Sequence, residues 1–179
     1  MTAYHDNEWG VPLHDDRKLF EFLILDIFQA GLSWRTVLNK RENFRKAFDD
    51  FDYEKIALYQ AEKIEALLAD KTIIRNRAKI IATITNARKV LAIRKESGSF
   101  SDYLWSYVNN RPVQNDFESL SELPSKTELS VKISKDLAEK GFKFVGPTII
   151  YAFMQSMGMV NDHLTSCFRH SELSSRHSD

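Results

Sequence analysis

The stretch from Leu137 to Cys167, LAEKGFKFVGPTIIYAFMQSMGMVNDHLTSC, constrains the fold more than any other. A helical pattern runs into Lys140, and Gly141 can take the left-handed conformation that closes such a helix. Gly146-Pro147 then opens the next one, since proline at the first helical position forfeits no hydrogen bond. Two helices therefore face each other across a short loop. Phe142, Phe144 and Val145 are expected to anchor that loop in the core while Lys143 points outward. Gly146 lets backbone come close to a ligand, and the free N–H groups at the start of the Pro147 helix suit a phosphate. This second helix, reaching to about Met157, is apolar nearly all round and belongs in the middle of a core.

Two helices joined in this way are similar to a helix-hairpin-helix module, which holds a DNA backbone without reading its sequence. An ordinary helix connection is the alternative. Net charge does not favour nucleic acid, because 25 basic residues balance 25 acidic ones. Distribution matters more than the sum. Between Lys71 and Lys95 lie Lys71, Arg75, Arg77, Lys79, Arg88, Lys89, Arg94 and Lys95 with no acidic residue among them. Much of this series rides on a long helix whose apolar positions, Ile80, Ile81, Ile84, Ala87, Val90 and Leu91, form a stripe for burial. Its charges either face a polyanion or are simply solvated.

A chain of 179 residues with 43% hydrophobic content can bury the core of a single domain. No apolar run approaches the ~18 residues of a membrane span. Cys167 is the single cysteine; it excludes an internal disulfide, fits a reducing, cytoplasmic setting, and is a metal ligand, a nucleophile or an inert thiol. YHDNEWGVP at 4–12 is dense in polar, aromatic and turn-forming residues and reads as a structured loop. From Asp15 or Asp16 the run RKLFEFLILDIFQAG is helical and ends at Gly31. Asp26 stands out in that apolar run, either on a narrow solvent-facing edge or lining a pocket. Ser33 caps a new helix expected to continue to Phe48, and two shorter ones follow over Tyr53–Tyr59 and Ala61–Asp70. Phe100 to Val108 is a short aromatic helix, and Asn109 to Thr127 is irregular. Asn161-Asp162 caps a short helix that would put His163 and Cys167 four apart on one face, which is half of a zinc site. The domain is expected to span 1–170, with the hairpin at about 128–157 and a frayed polar tail at 171–179.

YHDNEWGVP at 4–12, QAGLSW at 29–34, KRENFRKAF at 40–48, GFKFVG at 141–146 and NDHLTSC at 161–167 together resemble the DNA-3-methyladenine glycosylase I family of base-excision repair enzymes. The resemblance runs almost end to end. It implies an all-α fold of the helix-hairpin-helix DNA glycosylase type, with N- and C-terminal segments meeting at zinc. It also implies a monofunctional N-glycosyl hydrolase, without lyase activity, that flips 3-methyladenine out of alkylated double-stranded DNA and hydrolyses its glycosidic bond. By the same resemblance Tyr4, Trp34 and Asp26 bind the base, with Asp26 catalytic. Gly31, Leu32, Lys143 and Gly146 bind DNA, and His5, His163 and Cys167 bind a structural zinc. The protein is expected to act as a monomer away from membranes. A non-catalytic binder of damaged DNA, or a related glycosylase with another base preference, is the competing expectation.

The sequence departs from the family pattern at two places. The family's pocket carboxylate is a Glu followed by Gly, whereas Asp26-Ile27 stands here, keeping the charge and losing one methylene of reach. The family also carries a zinc-binding cysteine upstream of YHD. Here Met1 lies just before Tyr4, so the expectations are a metal held by three protein ligands at lower occupancy, one completed by water or His170, or no metal at all.

Overall fold

In the computed structural model, which describes residues 1–175, the regular elements among those residues are helices apart from one two-residue parallel pairing, Val113–Gln114 (β1) with Val160–Asn161 (β2). The helix α2 (Asp16–Gln29) sits at its centre. The Asp15 carboxylate accepts from Lys18 N at 2.9 Å and starts the helix as an N-cap should. Every residue from Leu19 to Phe28 is buried, Glu21 and Asp26 included. Each large apolar side chain hidden in this way contributes roughly 1.5–3 kcal/mol. A helix buried on all sides must be covered on all sides, and α3 (Trp34–Asn39), α7 (Arg77–Ser97), α8 (Phe100–Trp105) and α10 (Pro147–Ser156) do so.

The C-terminal end of α2 is closed from outside. Lys79 Nζ, itself buried, donates to Phe28 O at 3.1 Å and Ala30 O at 2.8 Å, carbonyls that the helix leaves without partners. Gly31 then turns the chain at φ +83°, and Ser33 caps α3 by accepting from Thr36 N. The single helix expected from Ser33 to Phe48 is broken at Lys40, which ends α3 and begins α4 (Arg41–Ala47). The break lets Arg41 turn inward, where it meets Glu21 at 2.6 Å and Glu8 at 2.6 Å. The short helices α5 (Tyr53–Ile56) and α6 (Ala61–Ala69) follow close to expectation.

The long basic helix is present as α7, but its charges are largely engaged within the protein. Arg88 donates to Ala57 O at 2.8 Å, Arg77 meets Glu65 at 2.8 Å and Arg94 meets Glu54 at 3.0 Å. Ile81, expected in the buried stripe, is 45% exposed, because residues 80, 83, 84, 87 and 90 already fill the inward arc. Lys71 and Arg75 remain exposed.

The helix α9 (Glu128–Glu139) begins with a reciprocal Thr127–Ser130 capping box and packs on α10. Gly141 takes φ +91° between them, as its position predicts. Phe142 and Val145 are buried, but Phe144 is 42% exposed at φ +58°, contrary to the expected anchoring role. The left-handed backbone at Phe144 turns its ring away from the core that its neighbours enter. Asn86 of α7, buried, fixes this loop by exchanging two hydrogen bonds with the Lys143 backbone, at 2.8 and 3.0 Å.

Both chain ends correct the sequence expectations. Residues 2–7 form a short helix, α1 (Thr2–Asn7), which buries Tyr4. Beyond it, Gly10 N donates to Gln155 O and Leu13 N to Met157 O, so the segment lies along the end of α10. The helix expected over 163–167 is a turn, closed by Cys167 N donating to Leu164 O. The polar tail expected from Ser171 is helical through Ser175 in α11 (Phe168–Ser175), with Leu173 in the core and Asn161 donating to His170 O. Leu173 of this helix is buried, beyond residue 170. Residues 176–179 of that tail lie outside the described residues.

Candidate active site

The α1 helix, the C-terminal half of α2, the start of α3, the end of α10 and residues 162–167 enclose a cavity of about 470 Å³. Tyr4, Trp9, Asp26, Gln29, Trp34, Gln155 and Ser156 line it, and no lysine or arginine does among the described residues. The α1 helix is held in place by the buried Arg41, which joins Glu8 to Glu21 and lies over the Phe22 ring at 5.0 Å. That ion pair sets the position of Tyr4.

Asp26, one of the two alternatives left open by its sequence position, lines the pocket and is 4% exposed. Its Oδ2 lies 2.9 Å from Ser156 Oγ, its one hydrogen-bond partner among the described residues. Burial pushes the Asp26 carboxyl from 3.8 up to about 8, against the smaller, opposite effect of the Ser156 hydroxyl. Tyr4 and Trp34 stand with ring centroids 5.4 Å apart. The Tyr4 hydroxyl and the Trp34 indole N–H are buried without a hydrogen-bond partner among the described residues. Burial first, then the nearby Asp26, raises the Tyr4 pKa above its usual range, so the phenol keeps its proton. A buried polar atom without a partner costs roughly 1–3 kcal/mol, and both residues line the same cavity as Asp26. The arrangement can take a flat, cationic ring that offers hydrogen-bonding edges.

At the rim, His5, His163 and Cys167 bring their ligand atoms within 4.8 Å of one another. Cys167 Sγ lies 3.8 Å from His5 Nε2 and 3.7 Å from His163 Nδ1. The far ring nitrogens are engaged: His5 Nδ1 lies 2.7 Å from the Asp6 carboxylate, and His163 Nε2 donates to Trp9 O at 3.0 Å. These partners fix the tautomers so that the two remaining lone pairs face the thiol. Burial above all holds the His163 imidazole below its usual pKa, hence neutral. In tetrahedral zinc, sulfur and nitrogen ligands sit about 3.6 Å apart, as bonds of about 2.3 and 2.05 Å require. The two sulfur–nitrogen spacings therefore match such an ion, within a set whose ligand atoms spread to 4.8 Å. His170 does not join it; its Nε2 lies 2.9 Å from Asn115 O and 3.2 Å from Asp116.

Gly31 and Leu32 form an exposed turn just before Trp34, with Leu32 43% exposed. Lys143 and Gly146 lie exposed on the α9–α10 loop, and Gly146 caps α10 without a side-chain hydrogen bond, leaving N–H groups at the helix start open. Sequence reasoning missed Ser156, Asn86, Arg41 and the rim residues Leu120 and Leu123. Glu21 within the apolar run LFEFLIL was a signal for the buried Arg41, whereas nothing in the sequence pairs residue 26 with residue 156.

Residues 1–170 match the family described as methyladenine glycosylase. The chain is 52% identical over 165 residues to DNA-3-methyladenine glycosylase 1 of Escherichia coli, covering 92% of this chain and 88% of that protein. A crystal structure of 3-methyladenine DNA glycosylase I superposes with a TM-score of 0.90 at 53% identity, covering 93% of this chain and 92% of the other. The Staphylococcus aureus 3-methyladenine DNA glycosylase I, solved for its recognition of 3-methyladenine, superposes with a TM-score of 0.91 at 40% identity over 93% of this chain and 89% of its own. With the family match spanning nearly the whole chain and the same helical fold in its relatives, this protein belongs to the methyladenine glycosylase family.

Proposed function

We propose that this protein excises 3-methyladenine from alkylated double-stranded DNA by hydrolysing the N-glycosidic bond. The observation that carries this reading is the convergence of Asp26, Tyr4 and Trp34, with orphaned polar atoms, on one cavity that lysine and arginine do not line. A base must leave the stack to react, at a cost of a few kcal/mol that a poorly pairing lesion reduces. The exposed Gly31-Leu32 turn is suited to enter the vacated stack, as apolar wedges do. Lys143 and the open N–H groups behind Gly146 hold phosphates, giving the α9–α10 pair the role of a helix-hairpin-helix.

Inside the cavity, the Trp34 and Tyr4 faces attract the cationic base, an effect of about 2 kcal/mol when desolvated. Asp26 selects its charge and amino edge. The methylated base departs as a neutral molecule, so its departure needs little proton donation, and binding and positioning supply most of the acceleration. A pure backbone binder has no use for such a pocket. The one observation favouring another base preference is Asp26 itself, shorter than the family Glu and drawn back onto Ser156.

His5, His163 and Cys167 would hold a structural zinc, which would tie the chain ends together and support Tyr4 beside its ligand His5. Nothing in the reaction asks for a metal-bound hydroxide. Chromatography of bases released from methylated duplex DNA tests the reading. Free 3-methyladenine is expected, and intact DNA after prolonged incubation would overturn it.

A further inference from the structure

Ser156 stands at the last turn of α10 with one hydroxyl hydrogen and two oxygen neighbours. Its Oγ lies 2.9 Å from Asp26 Oδ2 and 3.0 Å from Phe153 O. Only one of these can accept the hydroxyl hydrogen at a time. If the hydroxyl donates back along its own helix to Phe153 O, the contact with Asp26 requires a proton on the carboxyl. If it turns to Asp26, Phe153 O is not abandoned, because Met157 N already donates to it at 2.9 Å. Both positions of the hydroxyl are thus satisfied, and the charge on Asp26 decides between them.

We propose that Ser156 is a positioning residue that holds Asp26 as a neutral acid in the free protein and receives it as a hydrogen-bonded carboxylate when a cationic base enters. This rests on the base-binding reading above and deepens it. In the free state Asp26 donates to Ser156 Oγ, and Ser156 donates to Phe153 O. When a cation occupies the cavity the Asp26 carboxyl proton leaves to water, and the Ser156 hydroxyl, keeping its own hydrogen, swings to donate to Asp26 Oδ2; the carboxyl O–H is the one covalent bond broken. Tyr4 from α1, Trp34 from α3 and Ser156 from α10 border the same cavity as Asp26, whose other titratable lining groups are the Met1 amino group, His5, Asp162, His163 and Cys167. No lysine or arginine is among the described lining residues, and the one hydrogen-bond partner of Asp26 among them is the uncharged Ser156 hydroxyl. The raised pKa of Asp26 has the same cause, its burial. The selection is for charge: a cationic base recovers the favourable ionised contact, whereas a neutral adenine of the same shape gives the carboxyl no reason to release its proton.

The test is calorimetric titration of the intact protein with 3,9-dimethyladeninium, a permanently cationic base, in two buffers of different ionisation enthalpy. With the carboxyl near 8, roughly nine-tenths of a proton should be released per base bound at about pH 7, and almost none at about pH 10. Asp26→Asn should bind the cation more weakly, and the binding that remains should come without proton release. Ser156→Ala should weaken binding and move the pH midpoint of release upward, and Ser156→Thr, which keeps the hydroxyl, should restore both. Binding of the cation by the intact protein without proton release would overturn the proposal and leave the base-binding reading standing. An unmoved midpoint in Ser156→Ala would remove Ser156 from it. No binding of the cation would sink the pocket reading itself, and this proposal with it.

Discussion

The floor of the cavity and the cluster at its rim use buried polar atoms in opposite ways. At the rim, each histidine has its far nitrogen engaged, by Asp6 or by the Trp9 carbonyl, and presents its near nitrogen to Cys167. At the floor, the Tyr4 hydroxyl and the Trp34 indole have no partner among the described residues, and Asp26 has a single hydroxyl. The rim is thus organised from within the chain around one small shared point. The floor is shaped for a ring that comes from outside. A site that recognises a visitor keeps groups unpaired while it waits, and the folded state is less stable for it.

That difference is sharpened first by pH. Burial raises Asp26 from 3.8 to about 8, so between those values the folded protein keeps a proton that the unfolded chain has lost. Stability must therefore fall as pH rises through that window, with the whole penalty present above it. At about 1.4 kcal/mol per unit, the penalty amounts to several kcal/mol. Asp26→Asn should melt higher than the parent at about pH 8.5 and differ much less at about pH 4, where the folded carboxyl is neutral and the unfolded one is already close to half protonated. A constant difference between the two proteins across that range would contradict the assignment.

The rim should respond in the opposite sense. Cys167→Ser should lose zinc from protein purified without chelator and lower the melting temperature by about 5–10 °C, the size of a loss of roughly 2–4 kcal/mol in a domain of this length. Acid or a chelator should do the same to the parent protein, because thiolate and neutral imidazole are the ligating forms. Absence of zinc with an unaltered melting temperature would reduce these residues to ordinary packing.

The DNA surface gives the smallest effect. Lys143→Glu with Arg75→Glu should weaken duplex binding by about tenfold at low salt, equally for all sequences, and flatten the salt dependence by about two counterions. Affinity that ignores salt would break the electrostatic reading of the α9–α10 loop. Arg75 is chosen because Arg77, Arg88 and Arg94 of the basic series are committed to Glu65, Ala57 O and Glu54.

Local chemistry was the part of this molecule that its sequence made legible. The Asp15 and Ser33 caps, the Gly141 turn and the Pro147 helix start lie where side-chain chemistry puts them. Asp26 could be singled out because a carboxylate amid Leu, Ile and Phe demands a reason. What no local pattern carries is the distant partner. Ser156 is 130 residues from Asp26, and Arg41 is 33 from Glu8. The basic series stayed ambiguous for the same reason, since exposed charge and internally paired charge look alike until the chain is folded. His163 and Cys167 do meet, though through a turn and not the helix their spacing suggested.

The most direct test of the central claim is a single-turnover comparison of the parent protein with Asp26→Asn on a duplex carrying 3-methyladenine, with melting temperatures taken on the same samples. The account predicts that the variant melts at or above the parent and releases the base at least 100-fold more slowly, roughly the loss seen when one charge-stabilising group is removed from a closed site. Release at the parent rate by a folded Asp26→Asn protein would contradict it.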